Sequence, residues 1–295
     1  MDLIGNFTAL VTPFNKNSTI DFNSLKKLCS FQLNNNADGI VALGSTAEAP
    51  TLDSYEKHKV METITSEINT LLPIIAGINA FSLEDALNQS KARFLDGASA
   101  LLVSPPPYIK PTDIGITNYF TKIADFSFIP IILYNIPSRT AINLKLDTVK
   151  KLADHPNIIG IKDAGGDITY SQNLINLNKN NFSLLSGNDN QLLPILSVGG
   201  NGIISVAGNI IPDVFHDIVF SYKNNKTEKA RFKYFEYLSL INSLSLESNP
   251  IPVKWLLSRL KLIKPYYREP LTKPLTKTKS IINKEIEKHF SYYQK

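Results

Sequence analysis

The chain has 295 residues, 43% of them hydrophobic, which is enough to bury the core of one large α/β domain or two smaller ones and excludes a disordered chain. A single cysteine, Cys29, excludes an internal disulfide and a multi-cysteine zinc site, and its apolar surroundings read as core. The formal charge of +5 comes from dispersed lysines, and the densest basic stretch, 261–279, is broken by Pro265, Pro270 and Pro274, which reads as solvated surface and argues against nucleic acid as a partner.

In chain order, short apolar runs alternate with longer amphipathic segments. The predicted elements are strand 8–11, helix 21–34, strand 39–43, helix 54–69, strand 73–77, helix 82–96, strand 100–104, helix 112–124, strand 131–135, helix 146–154, and strands 158–162, 182–186 and 202–206. Several helices open on an Asp, Ser or Thr that can cap them. Eight βα units within about 220 residues predict an α/β fold, a closed (β/α)₈ TIM barrel, for which ~250 residues is typical. Helices at 227–244, 252–260 and 278–290 follow, so the expected division is a catalytic barrel over 1–225 and a C-terminal helical appendage over 226–295. An open doubly wound sheet is the alternative, weakened because no Gly-x-Gly-x-x-Gly turn follows the first strand. The first 14 residues lack a basic region followed by an apolar run, and no stretch nears the ~20 apolar residues of a membrane span, so a soluble cytoplasmic protein is expected.

A barrel of this kind carries its active site at the C-terminal ends of the strands. Polar groups collect there selectively: Gly44-Ser45-Thr46-Ala47-Glu48 after strand two, Tyr108 after strand four, Tyr134 to Thr140 after strand five, Lys162-Asp163 at the end of strand six and Gly187-Asn188-Asp189 after strand seven. Lys162 closes an apolar run, where loss of hydration favours the neutral amine, and a neutral amine can condense with a ketone to give an electron-withdrawing iminium. From position alone, a structural ion pair with Asp163 or Glu48 is the favoured reading. Tyr134 and Tyr108 could shuttle protons with Ser45 or Thr46 between them, although a tyrosine after a strand is more often an amphipathic core residue. The Ser45-Thr46 turn offers amides and hydroxyls to a carboxylate, and Arg139 offers a guanidinium fork or a mere surface salt bridge. His58, His155, His216 and His289 lie far apart in sequence without metal-ligand spacing, so no metal is expected. The run Gly199-Gly200-Asn201-Gly202 precedes a strand and reads as a turn, not a phosphate loop.

These motifs resemble, nearly end to end, the pyruvate-dependent lyases and synthases typified by dihydrodipicolinate synthase. The resemblance rests on Thr8-Ala9-Leu10-Val11-Thr12-Pro13-Phe14, the turn Gly44 to Glu48, Tyr134-Asn135-Ile136-Pro137-Ser138-Arg139-Thr140, Ile158 to Asp163, Gly202 to Val206, and Asn249-Pro250-Ile251-Pro252-Val253-Lys254-Trp255. It implies Lys162 as the Schiff-base lysine, Tyr134, Ser45 and Tyr108 as a proton relay, Thr46 as a contact for the pyruvate carboxylate and Arg139 as the clamp for the aldehyde's carboxylate. The Ile204 carbonyl and Gly187 complete the implied pocket. The implied reaction joins pyruvate to L-aspartate 4-semialdehyde, giving the cyclic precursor of diaminopimelate and lysine, without metal or organic cofactor. A sugar-acid or sialic-acid lyase of the same barrel family is one rival, and a noncatalytic ligand-binding barrel is another.

The resemblance also implies a homo-oligomer, a tetramer built from two tight dimers, with Tyr108 reaching the neighbouring subunit's site. The chain departs from the family pattern at Ser45 and Ala47, where Gly-Thr-Thr-Gly-Glu is usual, and at Asn188, where aspartate is common. Ala47 requires a negative φ at a position where glycine is usual. In lysine-inhibited relatives, histidines stand where this chain has Ser54 and Lys57, asparagine at Phe81, glutamate at Asp85 and tyrosine at Pro107. Weak or absent inhibition by lysine is expected, with Glu84 and Asn79 as the neighbours that could rebuild such a site.

Overall fold

The computed structural model describes residues 3–177, 179 and 181–290. Runs such as Ile131-Ile132-Leu133 are buried on both faces of the sheet, the environment that favours near-continuous apolar strands over alternating ones. Eight parallel strands result: β1 (Gly5–Ala9), β2 (Gly39–Ala42), β3 (Ile74–Ile78), β4 (Ala100–Val103), β5 (Ile131–Asn135), β6 (Ile158–Asp163), β7 (Ser183–Ser186) and β8 (Gly202–Ser205). They pair in sequence order, and β8 returns to β1 with Gly5 opposite Gly202, closing the barrel and leaving no sheet edge.

Helices α1 (Phe22–Asn34), α2 (Ser54–Ile68), α3 (Leu83–Leu95) and α4 (Asp113–Phe126) follow the first four strands. Each begins where a side chain satisfies an otherwise orphaned amide. Asp21 accepts from Ser24, Ser82 from Asp85 and Thr112 from Gly115, and Asp53 with Glu56 forms a full capping box. After β5 come a single turn, α5 (Pro137–Thr140), and α6 (Leu146–Leu152). Helices α7 (Ile168–Asn176), α8 (Leu192–Ser197) and α9 (Pro212–Lys223) complete the last three units.

The apolar side chains separate into two clusters. Phe7, Val41, Ile75, Leu102, Ile132, Leu185 and Ile204, one per strand from most of the barrel, fill its interior. A larger cluster lies between the strands and the helices and includes Cys29, whose thiol burial pushes up to about 12. The first strand begins and ends earlier than its apolar pattern suggested. Beyond Ala9 the Leu10 amide still bonds the Val41 carbonyl, but Leu10, Val11 and Phe14 pack in this outer layer, and an apolar run alone does not distinguish those two fates.

Of the C-terminal helices α10 (Thr227–Ser243), α11 (Ile251–Arg259) and α12 (Thr276–His289), α12 packs on both of the others and α10 packs on α9. Ion pairs tie this C-terminal segment to the top of the barrel, among them Lys254 with Glu48, Arg268 with Glu56 and Lys264 with Asp21. Among the described residues no helix is long and apolar enough to cross a membrane.

Candidate active site

Strands β5 and β6 place Tyr134 and Lys162 directly opposite each other in register, and Asn135 opposite Asp163 one residue on. Side chains alternate faces along a strand, so this register sends Tyr134 and Lys162 one way and Asn135 and Asp163 the other. Lys162 Nζ lies 4.3 Å from the centre of the Tyr134 ring, in the geometry of a cation–π contact. Asp163 instead accepts from Asn135 Nδ2 at 2.9 Å, from the Gly165 amide at 3.0 Å and from Ser171 Oγ at 2.9 Å. Among the described residues Lys162 forms no ion pair, which corrects the reading that position alone favoured.

The other partner in that reading, Glu48, is also occupied. Its carboxylate binds Lys254 Nζ at 2.5 Å and the Arg268 amide at 3.3 Å. Lys254 has no solvent exposure, and burial holds its amine below the usual lysine range although Glu48 draws it back up. A depressed amine by itself does not mark the reactive lysine here. Lys254 is walled in by Glu48 and the rings of Phe14 and Tyr267, whereas Lys162 faces a cavity.

That cavity, of about 250 Å³, is lined by Ser45, Thr46, Tyr134, Arg139, Lys162 and Gly187 among others. Ser45 to Ala47 form one tight helical turn after β2. The left-handed residue of this turn is Glu48, at φ 55°, one position beyond Ala47, so the alanine fits without strain. Gly187 is required for a different reason: a Cβ there would stand 2.6 Å from Ala164 Cβ and 2.9 Å from the Asp163 carbonyl.

The segment between α10 and α11 forms the opposite wall, with Leu244, Ser245, Glu247 and Asn249. Asn249 Nδ2 donates to Thr46 Oγ1 at 2.9 Å, and its carbonyl accepts from Arg139 Nη2 at 2.9 Å. One residue thus connects the turn after β2 to the turn after β5. Asp189 also lines the cavity. Burial pushes its carboxyl above the usual range, opposed by hydrogen bonds from the Ala207 amide, Ser205 and the Val206 amide and by the charge of Lys162.

Six of the eight residues singled out from sequence therefore meet around one cavity: Lys162, Tyr134, Ser45, Thr46, Arg139 and Gly187. Tyr108 does not. It is 93% exposed, at φ 70°, on the loop after β4. Ile204 is wholly buried in the barrel interior, and Val206, two residues on, supplies the lining instead. Asn249 and Glu247 were not assigned roles in the sequence reading; the motif from Asn249 to Trp255 marked the region, but not which side chain turns inward. The histidines lie apart, paired with Asp96, Asp125, Asp38 and Glu285. Among the described residues no three His, Cys, Asp or Glu side chains cluster as a metal site would need.

A closed parallel barrel with an unpaired lysine amine, a phenol and hydroxyls converging at the C-terminal ends of its strands has the architecture of a class I aldolase. The chain belongs to the dihydrodipicolinate synthetase family, whose model matches residues 2–289. It is a lyase of the class I aldolase type. The 4-hydroxy-tetrahydrodipicolinate synthase of Coxiella burnetii is 39% identical over 268 residues, covering 91% of this chain and 92% of that one. That of Chlorobium phaeobacteroides is 37% identical over 286 residues, 97% of each. Among solved structures, the chloride-inhibited dihydrodipicolinate synthase of Acinetobacter baumannii in complex with pyruvate is 36% identical with a TM-score of 0.94, covering 97% of this chain and 98% of that one.

Proposed function

We propose that the chain condenses pyruvate with L-aspartate 4-semialdehyde as a 4-hydroxy-tetrahydrodipicolinate synthase. The observation that carries this reading is the unpaired Lys162 amine over the Tyr134 ring, in a cavity whose mouth holds the Arg139 guanidinium. Nζ of Lys162 attacks the keto carbon of pyruvate, and loss of water leaves an iminium. The iminium withdraws electrons from C3, which releases a proton and becomes an enamine nucleophile. Its carbon adds to the aldehyde, and the amino group of the second substrate then displaces Lys162 from the iminium carbon, closing the ring and freeing the enzyme.

Tyr134 and Ser45, both lining the cavity, are the proposed proton carriers for these steps, with Tyr108 supplied by a neighbouring subunit. Thr46, oriented by Asn249, holds the pyruvate carboxylate, with Gly187 leaving room for it and the Ile204 carbonyl beneath. Arg139 clamps the carboxylate of the aldehyde. The same reading makes the enzyme a cytoplasmic homotetramer, a dimer of tight dimers. The exposed apolar residues Phe81 and Ile109, which line one hollow with Pro106, support an interface on that side of the barrel.

Borohydride reduction in the presence of pyruvate should add one pyruvate-derived mass to the peptide carrying Lys162. An unmodified peptide from enzyme that still turns over both substrates would refute the Schiff-base assignment.

A further inference from the structure

Four charged side chains line the cavity: Lys162, Arg139, Asp189 and Glu247. Two are committed. Lys162 is the proposed site of pyruvate attachment, and both oxygens of Asp189 accept from backbone, Oδ1 from the Val206 amide at 3.2 Å and Oδ2 from the Ala207 amide at 2.7 Å. Arg139 and Glu247 remain. Arg139 donates to the carbonyl of Asn249, two residues along the chain from Glu247, so the two groups flank the same stretch of wall. Opposite charges this placed could neutralise each other, yet among the described residues neither makes an ion pair within 4.0 Å.

Glu247 is also held in place. Its Oε1 accepts from the Leu275 amide at 2.9 Å, which anchors one oxygen to the segment preceding α12, and among the described residues Oε2 has no hydrogen bond or ion pair. A half-buried carboxylate with one oxygen fixed and the other free, beside a fixed guanidinium, matches the head group of an α-amino acid, with carboxylate to Arg139 and ammonium to Glu247.

We infer that Glu247 reads the α-ammonium of the aldehyde substrate, and that with Arg139 it selects α-amino aldehydes over desamino ones. This inference rests on the proposed condensation. It adds that the amino group, which must end as the nucleophile that closes the ring, is held from the moment of binding by a carboxylate able to take up its proton.

The test compares L-aspartate 4-semialdehyde with succinic semialdehyde, which keeps the carboxylate and aldehyde and lacks the amino group, as acceptors for pyruvate. Glu247→Gln keeps a carbonyl for the Leu275 amide and removes only the charge. It should raise KM for the amino aldehyde about tenfold or more, as loss of a charge-assisted contact implies, and erode the preference over succinic semialdehyde by a similar factor. Glu247→Asp, retaining the charge on a shorter arm, should recover part of that preference. An unchanged preference in Glu247→Gln overturns the inference. So does an equal loss with both aldehydes, since a merely structural role would not discriminate between them. If the wild-type enzyme carries pyruvate on Lys162 and uses neither aldehyde, the condensation reading fails and takes this inference with it; that outcome is distinct from a wild type that prefers the amino aldehyde and a variant that keeps the preference.

Discussion

Arg139 lines the cavity with an exposed guanidinium, fixed at Nη2 by the Asn249 carbonyl. A substrate carboxylate bound there gains charge-assisted hydrogen bonds worth roughly 1.5–3 kcal/mol, so Arg139→Ala should lower kcat/KM for the semialdehyde by about 10- to 100-fold. Borohydride trapping of pyruvate on Lys162 should survive the change, and steady-state kinetics beside mass spectrometry separates the two. Equal damage to both steps would remove Arg139 from aldehyde binding. At this scale much of the site was legible, because the reactive groups sit at strand ends and strand ends follow from apolar runs. The partner of each charge was not. Whether Lys162 faces Asp163 or the cavity depends on which face of β6 each side chain takes, and the Lys254–Glu48 pair spans 206 residues of sequence.

Between α2 and α3 a second cavity, of about 370 Å³, opens beside the first and shares Ser45, Tyr134, Ile136 and Arg139 with it. Its distinctive lining is Lys57, Asn79, Phe81, Asp85, Gln89 and Pro107. Lys57 is held below the usual lysine range by burial, with Asp85 acting in the opposite direction. Most of the substituted positions that the family resemblance linked to inhibition by lysine converge here, while Ser54 and Glu84 stay outside. Asp85 is already engaged, accepting from Gln89 Nε2 at 3.0 Å, and Lys57 sets a like charge against an effector's ammonium. Lysine titrated into initial-rate assays at saturating substrates should therefore inhibit weakly or not at all. Strong inhibition at submillimolar lysine would mean that Asn79 and its neighbours rebuild the site.

For the molecule as a whole, the loop after β4 leaves Tyr108 outside its own cavity, at 93% exposure. If Tyr108 serves a neighbouring site, activity requires at least a dimer, and sedimentation at assay concentrations should find no fully active monomer. Stability should depend on how the C-terminal segment is fastened. Arg268 Nη1 donates to Glu56 Oε2 at 2.7 Å, Nη2 pairs with Oε1, and the same guanidinium reaches the carbonyls of Ser18 and Thr51. Hydrogen bonds from Arg268 hold the Glu56 carboxyl below its usual value of 4.5. The folded state then binds that proton less readily than the unfolded chain. The stabilisation is complete above about pH 4.5 and is lost as the pH falls through the lowered folded value. Glu56→Gln should cost about 1–2 kcal/mol at neutral pH, and the gap in Tm between variant and wild type should close in acid. A gap that stays constant with pH would show that the charge on Glu56 contributes nothing.

The barrel and most of its helices were determined by local sequence. Alternating apolar and amphipathic runs, capped by Asp21, Asp53, Ser82 and Thr112, suffice to specify eight βα units, because strand burial and helix capping are properties of neighbouring residues. Only the tertiary structure decided that the segment from Leu244 to Asn249, expected in an appendage, forms a wall of the cavity, that Asn249 spans from Thr46 to Arg139, and that Ile204 lies beneath the site and not at its surface. Those contacts join residues as far as 203 positions apart. Closure of the barrel and docking of the last helices bring them together, and no local pattern records which of two distant side chains will meet.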